Sequence, residues 1–344
     1  MKIALIFGAN SFEHEISIVS AIALKKVLKS ELIYIFCDYN RDFYLIPTDK
    51  INSKRFSSGA YKNDKKVTIG QGGFYQKGLF GEKKIECDII MSVVHGKDGE
   101  DGMLSSLFDF FKIPYIGPRV EASVMSYNKL LSKLYAKEFG VKTLPYSTLQ
   151  KDSNRDITLE YPVIVKPTRL GSSIGISIPT SKEELDYALD VAFEFDLQVI
   201  IEPFIANIKE YNLAGCKTDE YHFSIIEEPE KNQILDFDKK YLDFSRTKRV
   251  NEADISDALT AKIQENFKRL YEPFFQGALI RCDFFVIDDD VYINEINPIP
   301  GSMANYLFDD FDGIIKDLAH HLPQSIKIPQ SYKYINDIQA AKGK

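Results

Sequence analysis

Four polar residues near the C-terminal end, Arg281, Asp283, Glu295 and Asn297, have the types and spacing to do chemistry together. They lie in two runs of β-forming residues, GALIRCDFFVI and VYINEI, on either side of Asp288-Asp289-Asp290. Two such runs around a turn read as a hairpin. With the turn centred on Asp289, Asp283 and Glu295 each lie six residues from it, and Arg281 and Asn297 each lie eight. The two pairs then face each other, and the period-two alternation of a strand puts all four on one sheet face. Two carboxylates and an amide oxygen beside an arginine form an oxygen-donor set suited to Mg²⁺. A polar, solvated face of an ordinary hairpin would carry the same residues, so the hairpin alone leaves both readings open.

Other stretches could serve such a centre. Lys166 ends a strand and is followed by Pro167-Thr168-Arg169-Leu170-Gly171-Ser172-Ser173-Ile174-Gly175 and a second short strand over 176–179. Small residues between two strands allow backbone N–H groups to close over phosphate oxygens, although a plain Gly/Ser hairpin turn has the same composition. The GxxxxGK[ST] phosphate loop is absent. Residues 198–205 form an apolar strand with one acid, Glu202, and Glu210 opens the next strand. A flat apolar segment between two carboxylates could receive a nucleoside; it could equally be a strand leaving the core. Lys239, Lys240 and Tyr241 precede a polar loop over 243–249, and Lys129, Lys133 and Lys137 recur at helical spacing, mostly as surface residues.

The elements that must position these groups follow from pattern. Ile3–Gly8 is a continuous apolar run ending in Gly, as in a buried parallel strand. Strands over 32–37 and 89–94, with a helix to about Lys29, complete a βαβ-like first domain. Ligands of such sheets bind beyond the carboxyl ends of the strands, where Glu13–Ser17 and the run from His95 to Gly102 fall. Residues 48–85, rich in Lys, Gly, Ser and Asn, read as a solvated excursion. One helix is expected over 121–139 and another over 255–275, and Ser181 with Glu184 makes a capping box for a helix to about Phe195. A final helix is expected around 310–322.

Composition bounds the class. The chain has 344 residues, 44% hydrophobic and 27% charged, enough for two or three globular domains. A net charge of −7 argues against a general nucleic-acid binder. Cys37, Cys87, Cys216 and Cys282 show no CxxC spacing, which suggests a reducing cytoplasm and no structural zinc. MKIALIF is too short, and too soon followed by Glu13 and Glu15, for a signal peptide. No apolar run reaches the roughly 18 residues of a membrane span.

The order of these motifs resembles the ATP-grasp superfamily and, within it, the D-alanine–D-alanine ligase family. The resemblance covers nearly the whole length. It rests on E-x-E-x-S (Glu13 to Ser17), H-G-x-x-G-E-D-G (His95 to Gly102), K-P-x-R-x-G-S-S-x-G (Lys166 to Gly175), Lys240-Tyr241 and the C-terminal hairpin with its Pro300-Gly301 turn. It implies an α/β fold, with an N-terminal Rossmann-like substrate domain over 1–118 and a two-subdomain ATP-grasp part. The latter would span 119–205 with the phosphate loop and 206–330 with the metal site and lid, before a polar tail over 331–344. It implies an acyl-phosphate route in which ATP activates one D-alanine and the amine of a second attacks.

Site roles come with the resemblance. Asp283, Glu295 and Asn297 would hold two Mg²⁺ (or Mn²⁺). Lys129 and Lys166 would contact phosphates under the loop of Ser172 and Ser173, with Lys240 near the nucleotide. Glu202, Phe204, Ile205 and Glu210 would hold adenine and ribose. Arg281 and the N–H of Gly301 would form an oxyanion hole, a donor set of which each member is typically worth about 3 kcal/mol of barrier. Glu15 would receive the ammonium of the first D-alanine beside His95, and Glu15, Ser172 and Tyr241 would tie the domains together. Tyrosine at Tyr241 accompanies dipeptide rather than D-lactate products. The family also implies a homodimer. Two departures stand out: Leu170 replaces the loop's usual acid, and Tyr306 stands where a serine contacts the second substrate. A ligase using D-lactate or D-serine is the alternative.

Overall fold

A computed structural model of the chain describes residues 1–78, 81–229, 247, 250–324 and 326–341. The first sheet uses β1 (Lys2–Gly8), β2 (Glu31–Cys37), β3 (Phe43–Ile46), β4 (Lys65–Gly70), β5 (Gly73–Gly78), β6 (Gly81–Lys84), β7 (Ile89–Ser92) and β8 (Tyr115–Ile116), in the order β6-β5-β4-β3-β2-β1-β7-β8. β2, β1, β7 and β8 are parallel. The apolar run of β1 is explained by burial on both faces. Ile3, Leu5 and Phe7 enter one core, shared with α1 (His14–Leu24) and α2 (Ser53–Ser57), while Ala4 and Ile6 enter another with α3 (Met103–Phe110). Residues 48–85 are not the solvated excursion expected. They supply β4 to β6 as an antiparallel extension, because Val67 and Phe74 alternate onto the inner face and bury, with Phe74 5.1 Å from the Phe43 ring.

The middle of the chain contains α4 (Val120–Tyr127), α5 (Lys129–Glu138), β9 (Ser147–Gln150), β10 (Val163–Pro167), α6 (Lys182–Phe193) and β11 (Gln198–Pro203). The strands form an antiparallel sheet ordered β10-β11-β9. α6 packs Leu185 and Leu189 onto Val163, Val165, Val199 and Ile201. The single helix expected over 121–139 is broken at Asn128, whose backbone is extended (φ −97°, ψ 113°). Its side-chain oxygen accepts from Leu130 N and Leu131 N, so Asn128 caps a new helix rather than continuing the old one. That cap places Lys129 at the first position of α5.

The last sheet is ordered β13-β12-β14-β15, from β12 (Lys209–Lys217), β13 (Tyr221–Glu227), β14 (Ile280–Ile287) and β15 (Asp290–Asn297). α7 (Asp257–Tyr271), shorter at both ends than expected, buries Ile263, Phe267, Leu270 and Tyr271. α8 (Phe311–His320) and the exposed α9 (Ile335–Ala341) follow. Between the last two strands, Asp288 and Asp289 have φ of 49° and 64°, the paired left-handed residues of a tight hairpin turn. Among the described residues no helix is long and apolar enough to cross a membrane. The four cysteines are free.

Loss of a side-chain N-cap typically costs about 1 kcal/mol. Asn128→Ala should therefore lower stability in urea unfolding by about that amount, and an unchanged midpoint would show that α5 does not depend on this cap.

Candidate active site

The hairpin presents its polar groups as the spacing suggested. Asp283 pairs with Glu295 and Arg281 with Asn297, whereas nearer the turn Phe284 pairs with Ile293 and Ile287 with Asp290. The difference is a bulge that leaves Asn294 as one extra residue on β15. Arg281 grips Asp283 through two bonds, Nε to Oδ1 at 2.7 Å and Nη2 to Oδ2 at 2.8 Å, and Asn297 Nδ2 donates to Asp283 Oδ2 at 3.0 Å. Burial alone would lower the Arg281 pKa, but Asp283 outweighs it and holds the guanidinium firmly charged. Arg281 Nη1 also donates to the Tyr306 hydroxyl at 3.3 Å. Tyr306 is thus buried and turned toward the arginine, rather than simply replacing a serine.

α5 and β10 bring cations to this face. Lys129 Nζ lies 3.6 Å from Glu295 Oε1 and donates to the Leu170 carbonyl at 2.7 Å, so it joins the hairpin to the glycine loop. Lys166 Nζ donates to Glu202 Oε2 at 2.8 Å and reaches Asn294 Oδ1 at 3.4 Å. Lys133, one turn after Lys129, is buried rather than on the surface. Its Nζ is 2.5 Å from Glu202 Oε1, as an ion pair without hydrogen-bond geometry. Burial would raise the Glu202 pKa, but Lys166 and Lys133 outweigh it and pull the carboxyl down to about 2. Glu202 is the penultimate residue of β11, and the chain then runs through half-buried Phe204 and exposed Ile205 to Glu210, near enough to Lys166 to help keep it charged.

The donors on the hairpin fit a hard divalent cation held jointly with a nucleotide. Two carboxylates and one amide are too few to enclose an ion, and among the described residues no cluster of three or more His, Cys, Asp or Glu could do so. Mg²⁺ is typically bound by one or two carboxylates plus substrate phosphates and water.

A second cluster of polar groups lies at the carboxyl ends of the parallel strands of the first sheet. Glu13, not Glu15, faces the loop: Ser172 Oγ donates to Glu13 Oε1 at 2.6 Å. Glu15 is roughly 200° further round the helix and exposed. Glu13, Ser17 and Ser20 share a face at i, i+4 and i+7, and that stripe is the signal by which Glu13 could have been chosen. Two glycines admit this carboxylate: a Cβ on Gly96, at φ +70°, would lie 2.5 Å from Glu13 Oε2, and one on Gly171 would lie 2.9 Å from Oε1. Oε2 is buried and has no hydrogen-bond partner among the described residues. Nearby, Ser302 N–H donates to Ser20 Oγ at 3.2 Å, and Ser20 Oγ lies 2.9 Å from His95 Nε2. His95 Nδ1 lies 3.0 Å from the Ile299 carbonyl. Since a carbonyl only accepts, Nδ1 carries the proton and Nε2 accepts from Ser20. The first domain thereby meets the turn after β15, where Ser302, Met303 and Ala304 are left-handed at φ 47°, 54° and 50° directly beyond Gly301. Ser173, also left-handed, follows Ser172 at the loop tip. Lys240 and Tyr241 lie outside the described residues.

Burial first, then the Glu100 charge, pushes the Glu13 carboxyl from its ordinary 4.5 up to about 7. A folded-state pKa above the unfolded one means the native protein binds its proton more tightly, so stability falls as pH rises from about 4.5 to about 7. Glu13→Gln removes that term. Its Tm relative to wild type should improve across this interval and level off above it; a pH-independent difference would contradict the burial of this charge.

Comparison with known proteins gives the family. Residues 2–118 match the family model "D-ala D-ala ligase N-terminus" and residues 135–310 match "D-ala D-ala ligase C-terminus". The chain is 60% identical over 345 residues to the D-alanine–D-alanine ligase of Wolinella succinogenes, with 100% of each chain covered. The crystal structure of the D-alanine–D-alanine ligase from Helicobacter pylori superposes with a TM-score of 0.85 at 48% identity, covering 95% of this chain and 100% of that one. The D-Ala:D-Ser ligase VanG from Enterococcus faecalis is more distant, with a TM-score of 0.70 at 26% identity and coverage of 93% and 97%. The chain belongs to the D-alanine–D-alanine ligase family.

Proposed function

We propose that this protein joins two D-alanines into D-alanyl-D-alanine, with ATP converted to ADP and phosphate, as a cytoplasmic homodimer supplying peptidoglycan precursors. The observation that carries the reading is the meeting of Lys129, Glu295 and the Leu170 carbonyl. A lysine ammonium lies between the hairpin's acids and the glycine loop, where it would meet a phosphate. Phosphoryl transfer needs charge neutralisation and in-line positioning more than covalent help. Lys129 and Lys166 supply the cations, Ser172 and Ser173 the loop that covers the phosphates, and Glu202, Phe204, Ile205 and Glu210 the nucleoside edge, with Lys240 as a further nucleotide contact that the family resemblance implies. Asp283, Glu295 and Asn297 would hold two Mg²⁺ or Mn²⁺, which when bound neutralise the β- and γ-phosphate charge.

In the first step a carboxylate oxygen of one D-alanine takes the γ-phosphoryl group. In the second, the amine of the other attacks the acyl carbon, and phosphate leaves. Arg281 lies ready to stabilise the tetrahedral oxyanion with the N–H of Gly301, because its bidentate bond to Asp283 fixes the plane of the guanidinium. Glu13 Oε2, buried and without a partner among the described residues, suits the ammonium of the first substrate; His95 stands beside it, 3.6 Å from Glu100. The family resemblance implies that Tyr241 would join this set. The Tyr306 hydroxyl, bound to Arg281, borders the second substrate. The 60% identical relative favours D-alanine over D-serine or D-lactate there.

Asp283→Ala should lower ADP formation by about a hundredfold or more, with the circular dichroism spectrum unchanged; full activity would remove Asp283 from the site. Glu13→Gln should raise KM for the first D-alanine at least tenfold while Glu15→Gln does not, since a buried charge pair is typically worth a few kcal/mol. The reverse ranking, in initial-rate assays of dipeptide, would reinstate Glu15.

A further inference from the structure

The glycine loop is clamped at both ends by two adjacent residues that the ligation chemistry does not use. Asp196 holds the entrance. Its Oδ2 accepts from Thr168 Oγ1 at 2.7 Å and from Arg169 N at 2.9 Å, and its Oδ1 accepts from Arg169 Nη2 at 2.5 Å. Phe195 holds the exit. Gly175 has φ +72°, and a Cβ there would lie 2.7 Å from Phe195 Cδ2 and 2.9 Å from Pro167 Cγ, so the ring closes directly on the loop backbone. Across the boundary from the first sheet, Phe12 meets Phe195 edge-on, with ring centroids 5.4 Å apart and planes at 75°. Phe12 is 63% exposed, so the core of its own domain does not require it. It immediately precedes Glu13, whose carboxylate takes the Ser172 hydrogen bond at the loop tip. One aromatic contact and one hydrogen bond, from consecutive residues, therefore reach the exit and the tip of the same loop.

We propose that Phe12 is a positioning residue: docked on Phe195, it keeps the Gly171–Gly175 loop closed over the acyl phosphate and limits loss of that intermediate to water. The proposal rests on the acyl-phosphate reading above. Attack on the acyl carbon by the second amine breaks the carbon–oxygen bond to phosphate and gives dipeptide. Attack by water breaks the same bond, regenerates D-alanine and releases phosphate, so that ATP is hydrolysed with no product. An edge-to-face aromatic pair shifts an equilibrium by about two- to tenfold, and loop opening is the equilibrium this pair would bias.

The test is the amount of ADP released per dipeptide formed, at saturating ATP and D-alanine. Wild type should release one ADP per dipeptide plus a small excess from hydrolysis. Phe12→Ala should raise the ADP formed in excess of dipeptide by about two- to tenfold over the wild-type background, and Phe12→Leu should recover part of the coupling. Phe195→Leu should also uncouple, and adding Phe12→Ala to it should do little more, because both act through one contact. Tight coupling in Phe12→Ala, or fully additive effects in the double variant, would overturn the proposal. Wild-type protein that releases ADP but never dipeptide would sink the ligation reading, and the proposal with it.

Discussion

One extra residue in the β14–β15 ladder governs the site. Without the bulge at Asn294, the two-residue turn at Asp288-Asp289 would carry its own register through to the strand ends. The partners of Asp283 and Arg281 would then shift by one, and the opposing side chains would point to the other face. With the bulge, Asp283 faces Glu295, Arg281 faces Asn297, and Asn294 is turned toward Lys166. The acids, the arginine and Lys166 depend on that single insertion for their common surface.

Charge balance explains how such a surface can be buried. Glu202 is matched by Lys133 and Lys166, and Asp283 by Arg281 and Asn297. Glu13 and Glu100 are different. Burial, aided by neighbouring carboxylates, pushes them up to about 7 and about 8. Buried carboxyls with this little compensation are ready to receive a cationic group, and in the proposed reaction that group is the ammonium of D-alanine. The two halves of the site therefore differ: the hairpin half is paired in advance, and in the proposed reaction the half at the strand ends of the first sheet is completed by substrate.

Much of this was legible in the sequence, for physical reasons. The apolar run of β1 and the alternation of β14 and β15 announce their burial. Centring the turn on Asp289 gave the right partners at the site but the wrong ones near the turn, where Ile287 meets Asp290, because the bulge offsets the error. Three features were hidden by competition between local and long-range effects. Asn128 could continue a helix or cap one, and its side chain chose the cap. Lys133 looks like a surface lysine until Glu202 arrives from a strand distant in sequence. Glu13 and Glu15 share a motif and differ only in helix phase, which depends on where α1 begins. The inward faces of β4 and β5 were masked by the polar composition of 48–85, although Val67 and Phe74 mark them.

The central claim is that a carboxylate oxygen of the first D-alanine is handed to phosphate through an acyl phosphate. D-alanine labelled with ¹⁸O in both carboxylate positions tests it directly, by mass analysis of the phosphate released as dipeptide forms. Each phosphate should carry one ¹⁸O, and one should be retained in the new peptide carbonyl. Unlabelled phosphate formed together with dipeptide would contradict it.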